Sequence, residues 1–156
     1  MADALAQAVR CQDPRSAVAT VDSVLHRGLL SPECVADVFD ALPRKYRAIL
    51  RLSDALAESG SETFMRLILR QLGLRFVSQA HIPGVGRVDF LVEGWLIIEC
   101  DSKAHHEGWS KQRGDRQRDL AAAQRGYVTL RPLAEDLFFR RHEVTRAVRG
   151  LARHRR

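Results

Sequence analysis

The sequence predicts a mixed α/β (α+β) fold preceded by a helical segment, and three observations carry that expectation. Residues 1–58 show only short stretches of helical apolar spacing. Residues 59–156 place strand-length and helix-length apolar patterns in the order helix, three strands, helix, strand, helix. Two of the strands meet at Glu93-Gly94, a turn signal between apolar runs. Elements in this order bury their apolar faces as a mixed central sheet flanked by helices.

The N-terminal helices are read from their ends. Pro14 opens one that runs to about His26, and Gly28 stops it. Ser31 caps the next and Pro32 fits its first turn; Val35, Val38, Phe39 and Leu42 share a face before Pro43. A third is expected over 45–58, with Ile49, Leu52 and Leu56 apolar. Ser59-Gly60-Ser61 then breaks the pattern and sets the boundary between a helical segment, 1–58, and a second region, 59–156.

In that region Ser59 and Glu62 have capping-box spacing, and Phe64, Leu67, Ile68 and Leu72 form a buried face up to Gly73. Strands are expected over 74–80, 86–91 and 95–100. A helix over 115–125 is closed by Gly126, a strand over 127–131 ends at Pro132, and an arginine-rich amphipathic helix covers 136 to about 153.

Composition narrows the function classes. The chain has 156 residues, a formal net charge of +6 and a basic excess that is mostly arginine. Arg140, Arg141, Arg146, Arg149, Arg153, Arg155 and Arg156 crowd the end with few acids. Guanidinium forks match phosphate oxygens, so nucleic acid is the natural partner of such a charge, against a plain solvated tail. No apolar run approaches the ~20 residues that span a bilayer. The opening MADALAQAVR has no secretory pattern, and Cys11, Cys34 and Cys100 have no CxxC spacing. A cytoplasmic chain with reduced thiols is expected.

The chemistry concentrates in residues 84–106, GVGRVDFLVEGWLIIECDSKAHH. Asp89 lies on the first strand of an apolar hairpin; Glu99 and Asp101 end the second, and Lys103, His105 and His106 follow. Carboxylates at the end of an apolar strand are costly unless paired or bound to metal. Hard oxygen donors suit Mg²⁺ or Mn²⁺. Strand parity decides whether a site exists. A two-residue turn at Glu93-Gly94 would put Asp89 and Glu99 on opposite faces. A three-residue loop, Val92-Glu93-Gly94 with Gly94 left-handed, pairs Leu91 with Trp95 and Asp89 with Ile97, and makes Glu99 a diagonal neighbour of Asp89 on one face. Glycine in third place favours the bulged, three-residue loop. Asp101 then joins the same side, with Lys103 beyond, and Cys100 points into the apolar layer.

At these residues the chain resembles the PD-(D/E)XK nuclease superfamily, and within it the branch related to the very-short-patch mismatch-repair endonucleases. The likeness spans about residues 59–133. It rests on Glu62, on Gly86-Arg87-Val88-Asp89-Phe90, on Leu96 to Asp101, on His106, and on Asp115-Arg116-Gln117-Arg118-Asp119 leading to Gly126-Tyr127-Val128-Thr129-Leu130. The resemblance implies a restriction-endonuclease-like core and residue roles. Asp89 and Glu99 match the metal-binding acids, the Cys100 carbonyl matches a backbone ligand, and Glu62 matches a helical glutamate supporting the metal. Asp101 stands at the lysine position of the (D/E)XK element, where the mismatch-repair relatives carry histidine. Lys103 would then supply the missing positive charge, or His106 act as general acid or base.

Plainer readings stand beside these. Asp89 would cap a turn, Glu62 would serve only the capping box, Trp109 would pack rather than stack on a base, and Lys103 and the histidines would be solvated. Arg87, Arg116, Arg118, Arg140 and Arg141 are the candidate nucleic-acid contacts, although alternating charges around 115–119 are ordinary for a helix surface. The expectation is a Mg²⁺- or Mn²⁺-dependent endonuclease acting on DNA in repair or defence, with a homodimer favoured if both strands are cut. The alternative is a nucleic-acid-binding protein with a nuclease-like fold and no catalysis, in a toxin–antitoxin or defence setting. A protein–protein adaptor using the N-terminal helices is the third class.

Overall fold

A computed structural model describes residues 1–100 and 109–154, with backbone only for 109–112. The chain divides into two compact units, Met1–Leu67 and Ile68–Arg156.

The first unit is helical. It contains α1 (Ala2–Cys11), α2 (Pro14–His26), α3 (Pro32–Asp40), a 3₁₀ turn (Arg44–Tyr46), α4 (Arg47–Leu52) and the start of α5 (Gly60–Gln71). The capping chemistry acts where the sequence places it. The Asp13 carboxylate accepts from the Arg15 and Ser16 amides ahead of α2, and Ser31 Oγ accepts from Cys34 N ahead of α3. Leu5, Val9, Val18, Val21, Val35, Phe39 and Ile49 form the buried apolar cluster.

The helix expected over 45–58 ends at Leu52 instead. A buried polar network takes over the backbone there. Asp22 and Arg66, each 1% exposed, pair at 2.6 Å, and Thr63 Oγ1 donates to the same Asp22 oxygen. The Asp54 amide donates to the other Asp22 oxygen at 2.7 Å, and Arg66 Nη1 donates to the Leu52 carbonyl. Groups that would continue the helix are thus held by side chains distant in sequence. Glu62 fulfils the capping box: Ser59 Oγ donates to Oε1 at 2.8 Å, the Glu58 amide to Oε2 at 3.0 Å, and Glu62 N donates back to Ser59 Oγ.

The second unit carries a four-stranded sheet, β1 (Phe76–Ile82), β2 (Gly86–Val92), β3 (Leu96–Ile98) and β4 (Val128–Leu130), in spatial order β1-β2-β3-β4. The first two pairings are antiparallel and β3–β4 is parallel, so the mixed α+β architecture is as expected. Helix α6 (Trp109–Gln124) makes the crossover, and α7 (Ala134–Phe139) and α8 (Arg141–His154) follow.

Several element bounds differ from expectation for local reasons. After Gly73 (φ +66), the Leu74 amide closes α5 on the Leu69 carbonyl, so β1 starts at Phe76. Helix α6 begins at Trp109 rather than 115, which puts Trp109 in a helix and not a loop; the stretch 109–114 has no apolar stripe to announce it. The last predicted helix is two, because Arg140 leaves the helical region (φ −122, ψ 29). Leu137 of α7 and Val144 and Val148 of α8 are each buried. Among the described residues no helix is long and apolar enough to cross a membrane.

Candidate functional site

The hairpin β2–β3 sets the site. Its pairs are Val92↔Leu96, Leu91↔Ile97 and Phe90↔Ile98, so the loop is Glu93-Gly94-Trp95. The loop has three residues, as parity required, but it sits one position later than Val92-Glu93-Gly94. Leu91 therefore faces Ile97, not Trp95, and Asp89 does not face Ile97. The reason is local. Glu93 (φ +50) and Gly94 (φ +76) are both left-handed, and Trp95 N donates to the Val92 carbonyl at 3.1 Å, the pattern of a type I′ turn with one further residue. Arg75 holds the unusual Glu93 in place. Its amide donates to Oε1 at 2.8 Å and its guanidinium to Oε2 at 2.8 and 3.1 Å, while the Glu93 amide donates to the Arg75 carbonyl.

Continuing the register by one residue sets Asp89 directly opposite Glu99. The acids are closer than the diagonal arrangement would bring them. In β2, Val88, Phe90 and Val92 are buried while Asp89 and Leu91 on the other parity are half-buried. Beyond β3 the backbone donors serve the site. Glu99 N donates to the Leu130 carbonyl at 3.1 Å, extending the parallel ladder, and Cys100 N donates to Asp89 Oδ2 at 2.7 Å. The Cys100 side chain is buried, 7% exposed, as its parity predicts.

Two arginines converge on Glu99. Arg118 of α6 donates to Glu99 Oε1 at 2.7 Å and to the Arg87 and Val85 carbonyls at 2.7 and 3.3 Å. Arg131 reaches Glu99 Oε2 at 3.6 Å and Asp119 at 2.8 Å, and Asp115 lies 3.8 Å from Arg118. Burial raises the Glu99 carboxyl above the usual glutamate range; Arg131 and Arg118 pull it down, and Asp89 and Asp115 push it up. Burial lowers Arg131, but its hydrogen bond to Asp119 and the charge of Glu99 outweigh that and raise it. Arg118, expected as a nucleic-acid contact, is instead engaged with Glu99, and nothing in the sequence signalled Arg131.

The other predicted residues are placed as follows. Arg87 and Arg116 are exposed. Arg140 pairs with Asp136 at 2.7 Å and approaches Glu135 at 3.8 Å, and Arg141 is exposed. Glu62 belongs to the first unit, in the capping box described above. Asp101, Lys103, His105 and His106 lie outside the described residues.

The donor set fits a hard divalent cation in chemistry. Asp89 and Glu99 offer carboxylate oxygens on adjacent strands, and Asp89 grips the residue whose carbonyl would be the third donor. Asp115 and Asp119 draw on the same two guanidiniums, Arg118 and Arg131, that meet Glu99. Among the described residues no three His, Cys, Asp or Glu side chains are grouped so as to hold a metal on their own. No protein-family model matches the chain, and neither a curated protein nor a solved structure does.

Proposed function

We propose that this chain is a metal-dependent endonuclease that hydrolyses DNA phosphodiester bonds, of a repair or defence type, built on a restriction-endonuclease-like core. The observation that carries the reading is the hairpin register, which brings Asp89 and Glu99 face to face beside a cluster of arginines. Asp89 and Glu99, with the Cys100 carbonyl, would hold Mg²⁺ or Mn²⁺; Glu62 enters only through the resemblance. A divalent ion there supplies an activated water and charge to offset the attacked phosphate. Arg118 anchors Glu99 to the start of β2 and so fixes one carboxylate against the other. Arg131 keeps its positive charge beside Glu99, where a phosphate oxygen gains charge during attack. Asp101, Lys103 and His106 are the proposed proton-handling and charge-stabilising groups, by resemblance.

The test is nicking of supercoiled plasmid with Mg²⁺, with Mn²⁺ and with chelator. Asp89→Ala should abolish metal-dependent nicking and leave DNA binding within about twofold. Undiminished nicking by that variant removes the assignment.

One observation favours the second reading, a nucleic-acid-binding protein of nuclease-like fold without catalysis. Both Glu99 oxygens already face arginines, Arg118 at 2.7 Å and Arg131 at 3.6 Å. That reading expects DNA binding with no nicking under any metal.

A further inference from the structure

We propose that the α7–α8 junction and the outer face of α8 form a docking surface for single-stranded nucleic acid, with Phe139 stacking on an unpaired base and Arg146, Arg149 and Arg153 following the backbone. Phe139 is 81% exposed, and its edge-on neighbour Phe138, 6.4 Å away, is 44% exposed. Of the exposed large apolar side chains among the described residues, Phe139 is the most open, and it stands beside a second exposed ring. Phe139 ends α7 and lies two residues before α8, so it is within about 10 Å of the His142 backbone.

Helix α8 buries Val144 and Val148. His142, Arg146, Arg149 and Arg153 recur at helical spacing on the opposite side, and all four are exposed. Among the described residues no carboxylate pairs with Arg141, Arg146, Arg149 or Arg153, whereas Arg140 is neutralised by Asp136. The structure thus moves the free positive charge from Arg140, a predicted contact, to this stripe. From Arg146 to Arg153 the helix rises about 10 Å, so the stripe spans more than one phosphate of a strand laid along it.

Charge complementarity selects the occupant. A second copy docked through the same face would bring arginine against arginine. A membrane surface needs the apolar face of the helix, and that face is already buried. A purely acidic peptide would satisfy the arginines and leave Phe139 uncovered. A strand with open base faces satisfies both, because any unpaired base offers a π face to an aromatic ring. The inference shares a nucleic-acid partner with the nuclease reading but none of its chemistry.

The experiment uses the full chain in chelator, so that failure of cleavage and failure of this surface remain separate. Fluorescence anisotropy is read on a labelled single-stranded 12-mer and on its duplex. Phe139→Ala should weaken single-strand binding about tenfold and leave duplex binding within about twofold. Phe139→Trp should restore single-strand binding and shows that the fold is intact. Arg146→Gln with Arg149→Gln should weaken binding and lower the single-strand salt slope by about 1.4. Equal effects of Phe139→Ala on both DNAs, no effect on either, or a change of oligomeric state with unchanged DNA binding would each overturn the proposal. So would equally tight binding to anionic vesicles or polyglutamate.

Discussion

Glu99 shows how one residue reports on the site. Burial raises its carboxyl above the ordinary glutamate range, so the folded chain retains a proton there that the unfolded chain has released. Stability from that proton is complete below the ordinary value of about 4.3 and is lost as pH rises through the raised folded value. Glu99→Gln keeps the shape and removes the ionisation. In chelator, urea unfolding across this window should show the wild type losing stability relative to the variant as pH rises; parallel curves would mean that Glu99 titrates normally. The acid was legible in the sequence as the end of an apolar strand. Its partners were not, because Arg118 is 19 residues away and becomes a neighbour only through the β3–α6–β4 crossover.

At the scale of elements, the hairpin turn and the end of α4 carry the design. Gly94 is left-handed, and a Cβ added there meets no atom within 4 Å. The cost of Gly94→Ala is therefore backbone strain alone, about 1–2 kcal/mol, measured as a shift of the urea midpoint with the m-value unchanged. A much larger loss would mean that the register itself depends on Gly94. The α4 end rests on the buried Asp22–Arg66 pair. Burial raises the Asp22 carboxyl, and hydrogen bonds from Thr63 and the Asp54 amide, with Arg66, hold it down. Arg66→Ala leaves a carboxylate buried at 1% exposure without its cation and should destabilise by about 3–5 kcal/mol. A loss below about 1 kcal/mol would show that water reaches Asp22. Helical spacing alone extended α4 to 58, since nothing local announces that Asp22, 32 residues before Asp54, and Arg66, 14 after Leu52, take the backbone groups there.

For the whole molecule the governing quantity is charge. A formal net charge of +6, concentrated toward the end of the chain, predicts DNA binding in chelator that weakens steeply with ionic strength. Affinity measured between about 50 and 200 mM salt should fall at least tenfold. An affinity indifferent to salt would remove the polyanion partner and, with it, both nucleic-acid readings. The two compact units each bury an apolar cluster, helical in Met1–Leu67 and sheet-based in Ile68–Arg156; they divide within α5, not at the Ser59-Gly60-Ser61 break that the sequence offered.

What the amino acids decided alone was everything set by neighbours within a turn or a pleat. This includes the starts at Pro14 and Ser31-Pro32, the stops at Gly28, Gly73 and Gly126, the capping box of Glu62, and the odd-length loop that keeps Asp89 and Glu99 on one parity. Tertiary structure alone decided the exact register, the truncation of α4, and the arginines against Glu99. Those outcomes hang on hydrogen bonds such as Arg75–Glu93, Arg118–Glu99 and Arg66–Asp22, which join residues 18, 19 and 44 positions apart. Capping and parity act over the few residues that share one hydrogen-bonded ring, whereas a buried charge takes whichever partner the fold delivers.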